Sequence, residues 1–406
     1  MLILQYAVLS ALSAAVSATD LFVSSYAGNV TTLSLGYTNG SYSLEATSAS
    51  SECGPNPAWL TLDAARGILY CLNEGLTTPN GSLSSFTING DGSLKHVQNT
   101  TTLNGPVSGV LYGHAAGDRG IALAHYGGSA LSTHSLLGGG RFDGNDSFSF
   151  SMPGPGPIPD RQDSPHPHEA VLDPTGQYII VPDLGADLIR VFAINPKTNA
   201  LTEKTAIKTP PGSGPRHAAF HNPYGVSGSA APTFLYVATE LASTIISYSV
   251  SYLPNAGGLE FAAVQEVSAL GALANSRINA PAGIALSPDN RFLLLSNRNS
   301  SIFTLPNPDA SNSTAVASDS ITTFSLSKEG KLRFVQAWPT YGLFPRHFSL
   351  NAAGNLLAVG NQNSANVVLM KRDVATGLIE DVLAETEVEG QVTSVVFRQT
   401  GAVNGA

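Results

Sequence analysis

Apolar positions along this chain fall in short runs of five or so residues, punctuated by Gly, Pro, Asp and Asn. The runs read Ile68-Leu-Tyr-Cys-Leu72, Tyr178-Ile-Ile-Val181, Phe234-Leu-Tyr-Val-Ala238, Phe292-Leu-Leu-Leu-Ser296 and Leu356-Leu-Ala-Val359. Turns precede four of them: Asp63-Ala-Ala-Arg-Gly67, Asp173-Pro-Thr-Gly176, Ser287-Pro-Asp-Asn290 and Asn351-Ala-Ala-Gly354. Pro and Gly preset the dihedrals such turns require. Runs this short, rich in β-branched and aromatic residues and bounded by turn residues, predict strands rather than helices.

The strands repeat. Six segments share one pattern, a residue-Pro step, an alternating strand, a turn and a second apolar strand. They begin at Asn56-Pro57, Gly105-Pro106, His166-Pro167, Gly214-Pro215, Ala280-Pro281 and Phe344-Pro345. Successive prolines lie 49, 61, 48, 66 and 64 residues apart. The longer spacings coincide with a Gly/Pro-rich insertion at 138–163 and a polar loop at 306–318. Each repeat continues with two further strands, and four antiparallel strands at this period mark a β-propeller blade. Both ends are left over. Leu21-Phe-Val-Ser-Ser25 resembles a second strand lacking a first, and Val392-Thr-Ser-Val-Val-Phe397 a first strand lacking a second. Joining them predicts an all-β, seven-bladed propeller, closed by N- and C-terminal strands that share one blade, as a single domain over residues 19–406.

Composition adds the setting. A net charge of −9 over 406 residues leaves no basic footprint for nucleic acid. Residues 1–18, an apolar run ending Val-Ser-Ala, are expected to be a signal peptide cleaved after Ala18. No later stretch is apolar enough to predict a membrane span. Seven Asn-X-Ser/Thr sequons, at Asn29, Asn39, Asn80, Asn99, Asn145, Asn299 and Asn312, fit a secreted glycoprotein, expected to be a monomer. Cys53 and Cys71 allow one disulfide in an oxidising compartment. A buried free thiol fits equally, since Cys71 sits mid-strand where related strands have Val or Leu.

Candidate chemistry emerges where the repeats differ. The start of a blade's first strand lies beside the end of its second, and both positions face one mouth of the central channel. The residue after the Pro column reads Thr393, Ala58, Val107, His168, Arg216, Ala282 and Arg346. The residue ending the second strand reads Tyr26, Glu74, Tyr126, Leu184, Glu240, Arg298 and Gln362. His168, Arg216, Glu240, Arg298 and Arg346 fall in four adjacent blades, predicting a one-sided polar pocket. The other side is mostly Ala58, Val107, Tyr26 and Tyr126, with Glu74 its one charge. Guanidiniums clamp carboxylate or phosphate, and His and Glu carry protons. The competing expectation is that Glu240 simply ties blades together through Arg216 or Arg298. His166 is placed on the rim. His217 and His347, by alternation, are expected to point into the packing between strands. No His/Asp/Glu cluster has metal-ligand spacing, so no metal or other cofactor is expected.

At these residues the sequence resembles the lactonase family of seven-bladed propellers, which includes propeller-type 6-phosphogluconolactonases and the fungal carboxy-cis,cis-muconate cyclase. The matching stretches are Arg161-Gln-Asp-Ser-Pro-His-Pro-His168, Val181-Pro-Asp-Leu-Gly-Ala-Asp187, Gly214-Pro-Arg-His217, Ala238-Thr-Glu-Leu-Ala-Ser-Thr244, Ser296-Asn-Arg298, Pro345-Arg346 and Gly360-Asn-Gln-Asn363. The resemblance implies catalytic roles for His168, Arg216, Glu240 and Arg298. Arg346, Gln362, His166 and Glu74 are expected to bind substrate. The implied enzyme is a secreted lactonase acting on a small carboxylated or sugar-acid lactone. A muconate-type cycloisomerase is the nearest alternative, and a non-catalytic secreted propeller that binds glycan or protein is an alternative of another class. A secreted chain departs from the family's familiar enzymes, which act on intracellular metabolites, so an unphosphorylated lactone is the expected substrate.

Overall fold

Strand alternation that buries only one face gives a two-layer sandwich; here both faces of the middle strands are apolar. In Phe292–Arg298 every residue is buried. Leu293 and Leu295 pack toward one neighbouring sheet, and Phe292 and Leu294 toward the other. Such strands need a sheet on each side, and a ring of sheets supplies one.

The computed structural model describes residues 19–113, 119–225, 232–273, 279–307, 309 and 311–398. The expected signal peptide lies outside them, as does part of the 222–232 loop. The described residues form seven four-stranded antiparallel sheets. Six of these sheets each follow one repeat. The remaining one pairs the C-terminal strand Val392–Phe397 with the N-terminal Thr19–Ser25, in a register running from Leu21 opposite Phe397 to Ser25 opposite Val392. Counting that sheet as the first blade, seven apolar clusters fill the seven junctions between neighbours, including the junction of seventh and first. Each fully buried Leu or Phe in them contributes about 1.5–3 kcal/mol. Closure leaves no exposed inner edge. Arg398 fastens the seam, donating from Nη1 to Asp20 Oδ2 at 2.7 Å.

A feature that alternation hides recurs in every blade. The inner strand carries one extra residue just after its proline position. In the fifth blade Pro215 opposes Thr239 but His217 opposes Ala238, so Arg216 is bulged. Ala58, Val107 and Arg346 are bulged in the same way, as is Thr393. In the sixth blade three steps from Pro281 to Ile284 face two from Asn297 to Leu295. In the fourth, four steps from Pro167 to Val171 face three from Asp183 to Ile180. A bulge re-aims side chains, so two consecutive residues can reach the channel from one strand. Pro suits this position, because the first residue of a strand need not donate.

Cys53 and Cys71 form a disulfide, tying the connection into the second blade to that blade's second strand. The insertion at 138–163 is only partly loop, since Phe142–Ser149 is the outer strand of the third blade. The 306–318 loop is framed by a small hairpin, Phe303–Leu305 with Val316–Ser318.

Candidate active site

Glu240 ends the second strand region of the fifth blade and is the centre of a charged cluster. Arg298 of the sixth blade donates from Nη2 to Glu240 Oε2 at 2.5 Å. Arg216 Nε lies 2.8 Å from the same oxygen, close enough for an ion pair though not aligned as a hydrogen bond. Arg161 donates from Nη2 to Glu240 Oε1 at 2.6 Å. Arg298 is further fixed by donation from Nε to the Ala280 carbonyl at 3.1 Å, and its guanidinium lies 5.0 Å from the centre of the Phe344 ring. Burial works against ionisation of Glu240, yet Arg298, Arg216 and Arg161 outweigh it and hold its carboxyl far below the ordinary range.

His168 stands beside this cluster. Burial, reinforced by Arg216, Arg346 and Arg298, holds its imidazole well below the usual range, so it is neutral at pH 7. A small cavity is lined by His168, Arg216, His217 and Arg346, with Ala58, Val107, Trp59 and Thr393 completing its wall. His168 Nδ1, His217 Nε2 and Arg216 Nη1 have no protein partner there. The cavity leaves about 10 Å³ for the centre of a water, the threshold for holding one.

The structure thus brings His168, Arg216, Glu240 and Arg298 together, with Arg346 beside them. On the far side Arg346 Nη2 lies 3.6 Å from Glu74 Oε2, and the Tyr26 hydroxyl donates to the same oxygen. Glu74 therefore faces a cation rather than standing alone on an apolar side. Gln362 is the outlying member, donating from Nε2 to Gln391 Oε1 at 3.3 Å. His166 is built into the rim. Its ring stacks on Tyr126 with centroids 4.2 Å apart, Nδ1 lies 2.9 Å from the Tyr126 carbonyl, and Nε2 lies 2.9 Å from Asp163 Oδ1.

His217 and His347 sit in the packing between inner strands, His217 Nδ1 lying 3.7 Å from Glu169 Oε1 and His347 Nδ1 3.1 Å from the Val395 carbonyl. Both rings also meet Trp59 edge to face, at centroid distances of 5.7 and 5.0 Å, a contact that alternation did not predict. The bulges are the reason, because plain alternation would have sent Arg216 and His217 to opposite faces.

Several contributors escaped the sequence reading. Arg161 comes from the loop before the fourth blade, so no column of the repeat contains it. Asp183 Oδ1 accepts from the His166 amide at 2.7 Å and from the Ala186 amide at 3.1 Å, fixing the segment that leads to His168. Asp187 does the same one blade on, accepting from the amides of Gly212 at 2.6 Å and Gly214 at 2.8 Å. Gly214 has φ +59°, and a Cβ there would come within 2.4 Å of Leu241 Cγ, so only Gly permits this entry to Arg216. Asp319 accepts from the amides of Asn299 at 3.0 Å and Phe344 at 2.7 Å, tethering the segments that carry Arg298 and Arg346. The signal was present in the matching stretches, where Asp183 and Asp187 stand, but nothing in the sequence tells a capping carboxylate from a catalytic one.

Among the described residues no group of three or more His, Cys, Asp or Glu side chains is arranged to hold a metal ion. The fold is thus a closed ring of seven blades, with a carboxylate ringed by guanidiniums between the fifth and sixth of them. The model of the seven-bladed β-propeller lactonases matches residues 20–397, and the chain belongs to that family. An Arthroderma benhamiae protein named "Probable 6-phosphogluconolactonase" is 30% identical over 358 residues, covering 88% of this chain and 83% of that one. The 6-phosphogluconolactonase of Formosa agariphila is 31% identical over 349 residues, 84% and 88% of the two chains. A crystal structure from Bacteroides fragilis superposes with a TM-score of 0.76 at 26% identity, covering 95% of this chain and 99% of its own.

Proposed function

We propose that this propeller hydrolyses the lactone of a sugar acid or similar small carboxylated compound at the mouth built around Glu240. The observation that carries this reading is the convergence of Arg161, Arg216 and Arg298 on one buried carboxylate beside a neutral imidazole. Ring opening needs a group that stabilises the developing oxyanion and a group that takes the proton of the attacking water. Arg298 and Arg216 supply the first, in a desolvated setting where a guanidinium acts most strongly. His168 and Glu240 supply the second. Arg346, with Glu74 and Tyr26, lines the opposite wall and orients the remaining substrate hydroxyls or acid group.

The names of the relatives support a sugar-acid lactone and bring a phosphorylated one back among the candidates. A secreted location is part of the same proposal. It is supported by the apolar leader pattern of residues 1–18, the Cys53–Cys71 disulfide, and the exposure of Asn39, Asn80, Asn99, Asn299 and Asn312. Asn29 is half-buried.

The test is a panel of aldonolactones with and without phosphate, muconolactones and a diene-diacid, assayed with protein purified from culture medium. Turnover of an aldonolactone supports the reading. Reaction of the diene-diacid alone points to cyclisation, and reaction of none points to a binding propeller. Appearance in the medium with a mobility shift on endoglycosidase treatment tests the location; retention in the cell without a shift counts against it.

A further inference from the structure

Arg161 differs from the other guanidiniums around Glu240. Its side chain is 40% exposed, whereas Arg216 and Arg298 are 2% and 8% exposed and Glu240 is 3%. It belongs to no blade, but its backbone is firmly held. The Arg161 and Gln162 amides both donate to the Ile158 carbonyl, at 2.9 and 2.8 Å. The buried Gln162 side chain donates to the Leu184 carbonyl at 3.0 Å and accepts from the Ile158 amide at 3.1 Å. The backbone here is thus anchored, and the arginine side chain extends from it toward Glu240. That side chain covers Glu240 Oε1, while Arg298 and Arg216 occupy Oε2. As long as Arg161 stays in place, each carboxylate oxygen carries at least one guanidinium.

We propose that Arg161 is a specificity-determining latch, a role that rests on the lactone-hydrolysis reading above. An anionic group on the substrate, carboxylate or phosphate, draws the Arg161 guanidinium off Glu240. One charge-assisted pair replaces another, so the exchange costs little. The same exchange frees Glu240 Oε1 to act as general base. The water oxygen bonds to the lactone carbonyl carbon as its proton passes to Oε1. The ring C–O bond then breaks, and the ring oxygen leaves with that proton. Water and lactone give a hydroxy acid with no other reactant. A neutral lactone offers Arg161 nothing in exchange and meets a covered base.

The experiment compares kcat/KM for D-glucono-1,5-lactone and its 6-phosphate in wild type, Arg161→Gln and Arg161→Lys. Wild type is expected to prefer the anionic lactone on the order of 10–100-fold. In Arg161→Gln the preference collapses, through loss on the anionic lactone and gain on the neutral one, and Arg161→Lys keeps part of it. Removing a cation raises the carboxylate's pKa, so the acid limb of the kcat/KM profile moves to higher pH in Arg161→Gln. A parallel loss on both lactones with an unmoved acid limb would mean a structural role and overturn the latch alone. A wild type inert toward both lactones would instead overturn the hydrolysis reading, and the latch with it.

Discussion

Arg298 and Glu240 join the sixth blade to the fifth through a 2.5 Å hydrogen bond between side chains that are 8% and 3% exposed. Neither charge has water to fall back on. Removing Glu240 leaves Arg298 and Arg216 buried beside each other without their shared carboxylate, at a cost of about 3–5 kcal/mol. Glu240→Gln is therefore expected to destabilise the fold by that amount in urea denaturation. Glu240→Gln combined with Arg298→Met is expected to recover part of the loss. Additive losses in the double variant would show that the two side chains are not coupled.

Asp187 braces the turn that leads to Arg216. Its carboxylate accepts the amides of Gly212 and Gly214, two residues before Arg216. Asp187→Ala is expected to let that turn relax and displace Arg216. Misplacing a group by a fraction of an ångström costs rate more than binding, so kcat should fall about 10-fold with KM little changed. Asp187→Asn, which keeps an acceptor oxygen, should lie between. A rise in KM with kcat intact would show that the turn serves binding instead.

Glu169 follows His168 in the chain and is largely buried. It accepts from the Ala218 amide at 2.7 Å, and His217 Nδ1 lies 3.7 Å away. Burial pushes its carboxyl up to about 8 against the pull of the Ala218 amide and Arg216. The folded protein thus keeps a proton that the unfolded chain releases above about 4.5. This contribution is fully present below pH 4.5 and is lost as pH rises through 8, by up to about 1.4 kcal/mol per pH unit. Relative to wild type, Glu169→Gln should gain stability steadily between pH 5 and 8 in thermal melts. A constant difference across that range would place Glu169 in its ordinary ionised state.

The Cys53–Cys71 disulfide closes a loop with a sequence separation of 18. Loop-closure entropy sets its contribution at about 3 kcal/mol. Cys53→Ser with Cys71→Ser is expected to lower stability by that order while leaving the mouth chemistry unchanged. A variant as stable as wild type would show that the bridge adds nothing beyond packing in the junction of the first two blades.

Much of the architecture was legible because each blade repeats the same pattern. Proline steps marked the inner strands, and the complementary half-repeats at the two ends pointed to a shared blade. The clustering of His168, Arg216, Glu240 and Arg298 was legible because they occupy equivalent positions in neighbouring repeats. The rest follows from geometry that a period of two cannot express. The extra inner-strand residue brings His217 and His347 to Trp59, and although it follows the proline position, alternation alone does not announce it. Arg161 reaches Glu240 from a loop, where no column constrains it. The disulfide could not be read because a mid-strand cysteine looks the same whether bridged or free.

The most direct test of the account is the rate of sugar-acid lactone opening, followed by acid release at constant pH, for wild type, His168→Ala and Arg298→Ala, with folding of each variant checked by thermal melts. The account predicts turnover by wild type and a loss on the order of 100-fold or more in each folded variant. Undiminished hydrolysis by both variants would contradict it.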